Sequence, residues 1–443
     1  MHRFRIAVIC FLFLIVTSLA FAGEIDILIQ KLVEKGILTE SEAKAVVADT
    51  KASVAKQLAE GKLDTVPAWV QNTKFSGDFR VRFENRDYVL RDDKKNHVNV
   101  RLRYGFVAKV NDEINAGARL ATGTPTVSGT TFGANQSSRT QTLDNAFAMK
   151  SVWLDLMYLD YSPKQVKGLK LIGGKFSNPF YQEVASGLFW GPEINPEGFA
   201  GQYKRSIKLA GYPIDLFANA GILPLDMASS GNISPVLYAM QGGGTTKVFD
   251  RMLKAAVAYY YAADLKGSLY ADINPYGTPP LGITNTTSTA ITAGGTFPAG
   301  GTFVYDYRIL ALDAEYPILD IKLDKMTLPL GIYAGLLKNV AEGVKKDGAW
   351  LAGFKLGALK DPKSWSFTYD YRRIARDAAL DFITGGAFAG SGTNYKGHTF
   401  TLTYMPLKNT TLGFNYFKTQ KVQGDKVAAD YNDIMQLECV VKF

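Results

Sequence analysis

The sequence KFSGDFRVRFE, residues 74–84, alternates strictly between two kinds of side chain. Its odd positions are apolar or glycine, and its even positions are polar, most of them charged. A two-residue period is that of a β-strand, in which successive side chains point to opposite faces of the sheet. The stretch therefore predicts a strand with one apolar face and one charged face.

The same alternation recurs along the chain and reaches its last residue. Residues 98–106 (VNVRLRYGF) repeat it, and residues 434–443 (IMQLECVVKF) carry it to the terminal Phe443. Strands of about ten residues with one apolar face are those of a transmembrane β-barrel, although a soluble β-sandwich shows the same period. A last strand that ends on an aromatic residue resembles the signal that outer-membrane proteins present to the barrel-assembly machinery. We therefore expect this machinery as a partner through Phe443.

The lengths of the connections favour the barrel. Short turns alternate with long loops rich in Gly, Ser, Thr and Asn, and short turns at one end with long loops at the other are typical of outer-membrane barrels. The short turns are at 111–112, 162–167, 361–364 and 406–409, and the long loops at 123–145, 177–198, 264–302 and 375–394. We predict about 16 antiparallel strands, within a range of 14–18. Their expected starts are near residues 74, 98, 113, 151, 169, 199, 215, 234, 251, 303, 326, 349, 365, 395, 410 and 431.

The first residues predict export from the cytoplasm. Arg3 and Arg5 precede an apolar run over residues 6–19, and the sequence AFA at 20–22 offers a signal-peptidase site. We therefore expect a signal peptide over residues 1–22. A retained membrane anchor is the alternative, although the apolar run is short for a bilayer.

Residues 23–66 differ from the rest of the chain because their apolar residues recur at helical spacing. Gly36 is a natural helix end, and Thr39 with Glu42 forms a capping-box start for a second helix. We predict a helical, possible coiled-coil segment in the periplasm, followed by the barrel over residues 67–443. The segment either packs at the barrel mouth or associates with its copies in other subunits.

Composition removes several classes of protein. Without the signal peptide, Cys439 is the single cysteine, so no intramolecular disulfide can form. His97 and His398 are the remaining histidines and have no cysteines near them, so we expect neither a metal site nor a cofactor. The net charge is +9, or +7 without Arg3 and Arg5. The charges alternate with aromatic residues instead of clustering, so we expect no nucleic-acid partner.

A candidate pore lining lies on the polar faces of the first three predicted strands. Adjacent strands of a barrel would bring six arginines onto one wall: Arg80, Arg82, Arg86, Arg101, Arg103 and Arg119. Guanidinium groups are permanently charged, so such a wall would favour anions. In the alternative interpretation, Asp78 and Glu84 neutralise the arginines as structural ion pairs.

The loop predicted over residues 177–198 is a candidate constriction. It carries Glu183, Glu193 and Glu197 among aromatic residues, and its prolines would stiffen it. If the loop folds into the lumen, these acids face the arginines across the narrowest part of the pore. The alternative is a surface loop whose aromatic residues pack on the rim.

Several short motifs resemble those of one family, the putative porins of Gram-negative bacteria. They are SGDFR at 76–80, VRLRY at 100–104, GARLATG at 117–123, GGKFSNPF at 173–180 and NPEG at 195–198. The resemblance covers most of the chain, including the helical prefix. It implies an outer-membrane porin, with a homotrimer expected by analogy with better-known porins. It does not specify a solute.

These features predict an outer-membrane porin for passive diffusion of small hydrophilic solutes, with an expected preference for anions and with outer-membrane lipids around it. An outer-membrane enzyme is disfavoured, because neither His97 nor His398 lies near a serine motif. The remaining alternative is a binding or adhesin barrel without an open pore.

Overall fold

The computed structural model describes most of the chain after the predicted signal peptide. The described residues are 31–59, 71–88, 93–123, 125–128, 131–134, 139–184, 187–209, 211–227, 234–273, 285–288, 301–323, 326–384, 388, 392–422 and 431–443. The predicted signal peptide lies outside them. The chain divides into two compact units, Met1–Asn72 and Thr73–Phe443. No helix within the described ranges is long and apolar enough to cross a membrane.

The first unit contains helix α1, Glu40–Ala59. Residues 31–34 are also helical, and Gly36 follows them with a φ of +70°, which a glycine adopts without strain. Thr39 precedes α1, and its backbone N–H donates to Glu42 Oε2 at 2.8 Å while the Glu42 N–H donates to Thr39 Oγ1 at 3.3 Å. This reciprocal pair is a capping box, which satisfies two N–H groups that the first helical turn leaves without partners.

The second unit is a closed antiparallel barrel of 16 strands within the described residues, which confirms the predicted fold class. The strands are β1 Thr73–Tyr88, β2 Asp93–Lys109, β3 Ile114–Thr122, β4 Val152–Tyr161, β5 Leu169–Lys175, β6 Glu197–Leu209, β7 Tyr212–Pro224, β8 Val236–Val248, β9 Arg251–Ala263, β10 Tyr307–Leu323, β11 Met326–Asn339, β12 Gly348–Gly357, β13 Trp365–Ile374, β14 Tyr395–Leu407, β15 Thr410–Lys421 and β16 Tyr431–Lys442. Every strand pairs with its neighbour in the chain. Three short strands, Pro125–Ser128, Thr131–Ala134 and Gln141–Thr142, lie in the connection after β3.

The first and last strands close the barrel. Strand β1 pairs with β2 on one edge and with β16 on the other, with Val81 opposite Cys439. Gly77 and Phe443 exchange backbone hydrogen bonds of 2.8 and 3.0 Å at the end of this seam. A closed barrel leaves no unpaired strand edge, which a lipid environment would not tolerate.

The alternation of the sequence separates the two faces of the wall. Phe79, Leu102 and Leu412 are 43%, 39% and 47% exposed on the outside, as an apolar surface toward lipid requires. Arg80 and Asp370 lie on the inside and are only 5% and 2% exposed. The interior charges are therefore packed against other groups instead of lining an empty tube.

The connections differ between the two ends of the barrel. At the turn end, Asn111 Oδ1 accepts hydrogen bonds of 2.9 Å from the N–H groups of Glu113 and Ile114, and Phe249–Asp250 form a two-residue hairpin turn with positive φ at both positions. At the loop end, the long connections fold back over the interior. They contribute about half of a buried apolar cluster, and inward side chains of the strands contribute the rest.

Candidate functional site

The predicted arginines lie together inside the barrel. Inward positions of β1, β2 and β3 carry them, because these strands are adjacent and share the two-residue period. A seventh arginine joins them from the connection after β3. We call this set the arginine wall: Arg80, Arg82, Arg86, Arg101, Arg103, Arg119 and Arg139.

Carboxylates bind every arginine of the wall. Asp78 Oδ1 accepts from Arg101 Nη2 at 2.8 Å, and Asp78 Oδ2 accepts from Arg103 Nε at 2.6 Å. Asp78 and Arg103 are direct cross-strand partners, so the strand register sets this contact. On the next strand, Arg119 Nε donates to Asp155 at 2.7 Å. The ion pairs hold the guanidinium groups in place along the wall.

The last strand completes the wall on its other side. Glu438 of β16 accepts from Arg82 Nη2 at 2.7 Å and lies 3.7 Å from Arg80 Nη1. Glu84, almost fully buried, is paired with Arg86. Arg86 is the most exposed arginine of the wall for which a pair is described, with 39% of its side chain accessible. Among the arginines of β1, it lies nearest the loop end.

The connection between β5 and β6, residues 176–196, meets the arginine wall; we call it the crossing loop. Glu193 Oε1 lies 3.2 Å from Arg101 Nη1 and 4.0 Å from Arg80 Nη2, and Arg139 donates to the Glu193 backbone carbonyl. Burial opposes ionisation of Glu193, but the positive charges of Arg80, Arg139 and Arg101 hold its pKa below the usual range. The carboxylate therefore stays charged and anchors the loop.

The crossing loop also contacts the opposite wall. Trp190 Nε1 donates to Tyr260 Oη of β9 at 3.2 Å, and Lys355 Nζ of β12 donates to the Glu183 carbonyl at 2.6 Å. Strands β1 and β9 are half a circuit apart in a ring of 16 strands. Because Trp190 and Glu193 are three residues apart and contact opposite walls, the loop spans the barrel interior.

The three predicted acids of this loop have different environments. Glu183 is 2% exposed, and the absence of a side chain at Gly335 of β11 makes room for its carboxylate. Glu193 contacts the arginine wall. Glu197 instead begins β6 and pairs with Lys175, with 65% of its side chain exposed. Glu197 was predicted to lie in the constriction loop with the other two acids. That position was wrong, because β6 begins at Glu197 and not near residue 199, as the alternation suggested.

Sequence reasoning missed three members of the site. Asp155 and Glu438 were recognisable as inward polar positions, but nothing local indicated that they would meet arginines of other strands. Arg139 lies in a long connection, where no period assigns it to a face. Arg139 and Asp155 form an ion pair with each other, and neither residue lies on β1 or β2.

His398 lies among aromatic side chains on the barrel wall. His398 lies on β14 beside Tyr369, whose hydroxyl is 3.0 Å from Nδ1, and contacts the rings of Tyr371 and Phe400. Its cross-strand neighbours on this face are aromatic. In the part of the chain that the structure describes, no group of three or more His, Cys, Asp or Glu side chains is arranged to hold a metal ion.

A closed 16-strand antiparallel barrel with an apolar outside, a charged interior and a connection folded across that interior has the architecture of an outer-membrane porin. The family comparison agrees. A family model described as "Putative porin" matches residues 88–297 and 318–443, and the chain belongs to this family.

The chain is similar to solved structures at low sequence identity. A structure of OprB from Pseudomonas putida superposes with a TM-score of 0.50 at 10% identity, covering 84% of this chain and 94% of that one. OmpF from Salmonella typhi gives a TM-score of 0.44 at 12% identity, covering 84% and 97%. No curated protein matches the chain significantly. The family and the fold support a channel of the outer membrane more than an enzyme.

Proposed function

We propose that the protein is a passive diffusion channel for small hydrophilic solutes, with its constriction at the crossing loop and a preference for anions. The observation that carries the proposal is the position of Glu193 and Trp190. They attach the loop to β1 and β2 on one side and to β9 on the other. Solutes that pass the loop must pass between charged groups held at fixed positions.

The charge around the loop supports an anion preference. The arginine wall has seven guanidinium groups, and the carboxylates bound to them are Asp78, Glu84, Asp155, Glu193 and Glu438. Seven positive and five negative charges leave an excess of two positive charges. Fixed positive charge in a narrow, low-dielectric passage concentrates anions. The arginines can therefore form structural ion pairs and still favour anions, because the paired carboxylates do not neutralise all of the positive charge.

The remaining features of the proposal concern export and assembly. A signal peptide over residues 1–22 would direct the chain to the periplasm, and β16 ending at Phe443 would present it to the barrel-assembly machinery. With both ends of a 16-strand barrel at the turn end, residues 23–66 would lie in the periplasm. Outer-membrane lipids would cover the apolar outside, and we expect a homotrimer.

Conductance of the purified protein in a planar bilayer tests the proposal. We expect stepwise conductance in KCl and a reversal potential in a salt gradient that corresponds to a chloride permeability above that of potassium. Cation preference would contradict the assignment of the arginine wall as the selective element. Absence of conductance from a heat-resistant, correctly inserted barrel would overturn the channel itself.

A second candidate function is a binding or adhesin barrel with a sealed interior. The observation in its favour is the buried apolar cluster near the loop end, in which Tyr270, Phe303 and Leu380 are almost inaccessible. These side chains come from two separate connections, the one between β9 and β10 and the one between β13 and β14, and pack together over the interior. An inserted barrel without conductance would support this candidate.

A further inference from the structure

A second set of charged and aromatic side chains lies in the turn-end half of the barrel, away from the arginine wall. Strands β6, β7 and β9 contribute Lys204, Phe217 and Lys254, and the crossing loop contributes Tyr181; β8 lies between β7 and β9. Phe217 and Lys204 are direct cross-strand partners. We call these four residues the lysine–aromatic site.

The two rings and one lysine form a compact group. Lys254 Nζ lies 3.8 Å from the centre of the Tyr181 ring and 5.9 Å from the centre of the Phe217 ring. The two rings are 5.9 Å apart and inclined at 67°. These distances are those of cation–π and edge-to-face contacts, so the group has a defined geometry.

The strand between Phe217 and Lys254 is shaped for this group. Gly243 of β8 faces the interior, and a Cβ built on it would lie 2.4 Å from Cζ of Phe217. The Phe217 ring therefore occupies the space that a side chain at position 243 would take. Residues 242–244 are three consecutive glycines. Glycine weakens a strand, so a glycine run inside a strand indicates a local packing requirement. Room for an aromatic ring inside the barrel is such a requirement.

The lysines retain charge that nearby acids do not neutralise. Among the residues described, neither Lys204 nor Lys254 has a carboxylate within ion-pair distance. Lys204 and Lys355 lie close enough to Lys254 to repel it, and Glu315 attracts it. Glu315 already accepts from Lys355 Nζ at 3.1 Å, and Asp215 of β7 accepts from Ser206 at 2.6 Å. Lys204 is exposed and Phe217 and Tyr181 are half-buried, so a solute can reach them.

We propose that the lysine–aromatic site binds small planar organic anions, with aromatic carboxylates as the solute class. A carboxylate would bind between Lys204 and Lys254, while its ring would contact Phe217 and Tyr181. Each lysine supplies up to three N–H donors to the carboxylate of the solute. The flat apolar ring of the solute can stack on an aromatic side chain, whereas a small hydrated anion cannot. The inference rests on the proposed channel function and adds the solute class to it.

Benzoate and acetate distinguish a site of this kind from simple charge attraction. Each is titrated at constant ionic strength against the KCl conductance of the full-length channel, and binding to the purified protein is measured by calorimetry. We expect benzoate to act at concentrations about fivefold to tenfold below acetate, since one aromatic contact contributes roughly 1 kcal/mol. Cyclohexanecarboxylate has the same charge but is not planar, and it should fall between the two.

Three variants locate the effect. Phe217→Leu should remove most of the difference between benzoate and acetate, whereas Lys254→Gln should weaken both anions. Phe199→Leu is the matched control, because Phe199 is 71% exposed on the outer face of β6. Resistance of the barrel to heat on gels shows that each variant is folded.

The possible failures are distinguishable. If benzoate and acetate act at equal concentrations on a conducting parent channel, the inference is wrong and the channel function stands. If the parent does not conduct, the channel function falls, and calorimetry with benzoate still decides whether the site binds the anion. An equal loss of benzoate binding in Phe199→Leu would also contradict the proposed site.

Discussion

Glu193 Oε1 and Arg101 Nη1 lie 3.2 Å apart, although the two residues are 92 positions apart in the chain. One belongs to a loop and the other to the second strand, and their contact attaches the loop to the barrel wall. The same carboxylate lies 4.0 Å from Arg80 and from Arg139. A single side chain thus links three arginines.

Removing the charge of Glu193 should raise the anion preference and loosen the loop. Glu193→Gln keeps the size of the side chain but leaves three arginines without this carboxylate. Reversal potentials in a KCl gradient should report a higher ratio of chloride to potassium permeability. Glu197→Gln is the matched control, since Glu197 pairs with Lys175 in an exposed position. An equal shift in both variants would contradict the special position of Glu193.

Removing arginines should have the opposite effect. Replacing Arg80, Arg101 and Arg103 together with glutamine leaves Asp78 and Glu193 without most of their counter-charges, so the ratio of chloride to potassium permeability should fall. The change should be greatest at about 0.01 M salt, where the Debye length is roughly 30 Å, and nearly vanish at about 1 M. Arg251→Gln, at a turn-end arginine bound to Asp320, serves as the control. An unchanged ratio at low salt would assign the arginines a structural role only.

A side chain at Gly77 should impair closure of the barrel. A Cβ at this position would lie 2.5 Å from the Arg103 carbonyl oxygen and 2.7 Å from the Phe443 ring, so Gly77→Leu must displace the seam. Overpacking of this kind costs roughly 1–3 kcal/mol. The fraction of heat-resistant, folded protein on gels should fall. Gly242→Leu is the control, because nothing lies within 4 Å of the Cβ position there; equal losses in both would indicate a general intolerance of leucine in the wall.

Deleting residues 24–63 should leave an inserted, heat-resistant barrel. The described barrel strands pair with one another around a closed ring, so their backbone hydrogen bonds do not depend on α1. Native gels and chemical crosslinking then report the oligomeric state. Loss of trimers with retained insertion would support self-association of the prefix, whereas loss of insertion would show that the segment is required for assembly.

The packing of one loop-end segment should weaken as the pH rises. Burial raises the pKa of Asp381 to about 7, despite hydrogen bonds from the Tyr270 hydroxyl and the Asn285 N–H, and the charge of Asp377 acts in the same direction as burial. The pKa in the folded segment is above the usual value near 4, so the segment loses stability between about pH 4 and pH 7. Above pH 7 the loss is complete.

Hydrogen exchange of residues 375–384, corrected for intrinsic rates, measures this change. Protection should be higher at pH 5 than at pH 8 in the parent protein. Asp381→Asn keeps the acceptor for Tyr270 but cannot ionise, so its protection should be the same at both values. A parent protein without pH dependence would show that ionisation of Asp381 is not coupled to the packing of this segment.

The two-residue period was sufficient to predict most of the barrel. Seven of the predicted strand starts coincide with observed ones, among them Leu169, Trp365 and Thr410. The errors are largest at β2, which begins at Asp93 instead of Val98, and at β10, which begins at Tyr307 instead of Phe303. Both strands begin after loop-end connections. No recognisable turn residue marks the start of either strand in the sequence, so the alternation alone had to locate it.

The site was less predictable than the fold because its contacts are not periodic. Arg80 and Arg101 could be assigned to one wall from alternation alone, since adjacent strands share a register. Their partner Glu193 could be proposed only as a member of a loop with several possible paths. Arg139 could not be assigned at all, because a connection without a period carries no information on its direction.

The sequence by itself determined which strand side chains point inward and that the barrel has about 16 strands, because a strand's alternation is local and each short turn joins neighbours. Only the tertiary structure decided that the inward arginines bind Asp155, Glu193 and Glu438. Arg82 and Glu438 are 356 positions apart, and they meet because the barrel closes between its first and last strands. Charge partners follow from closure and from the path of the crossing loop, and neither is a property of any short stretch of sequence.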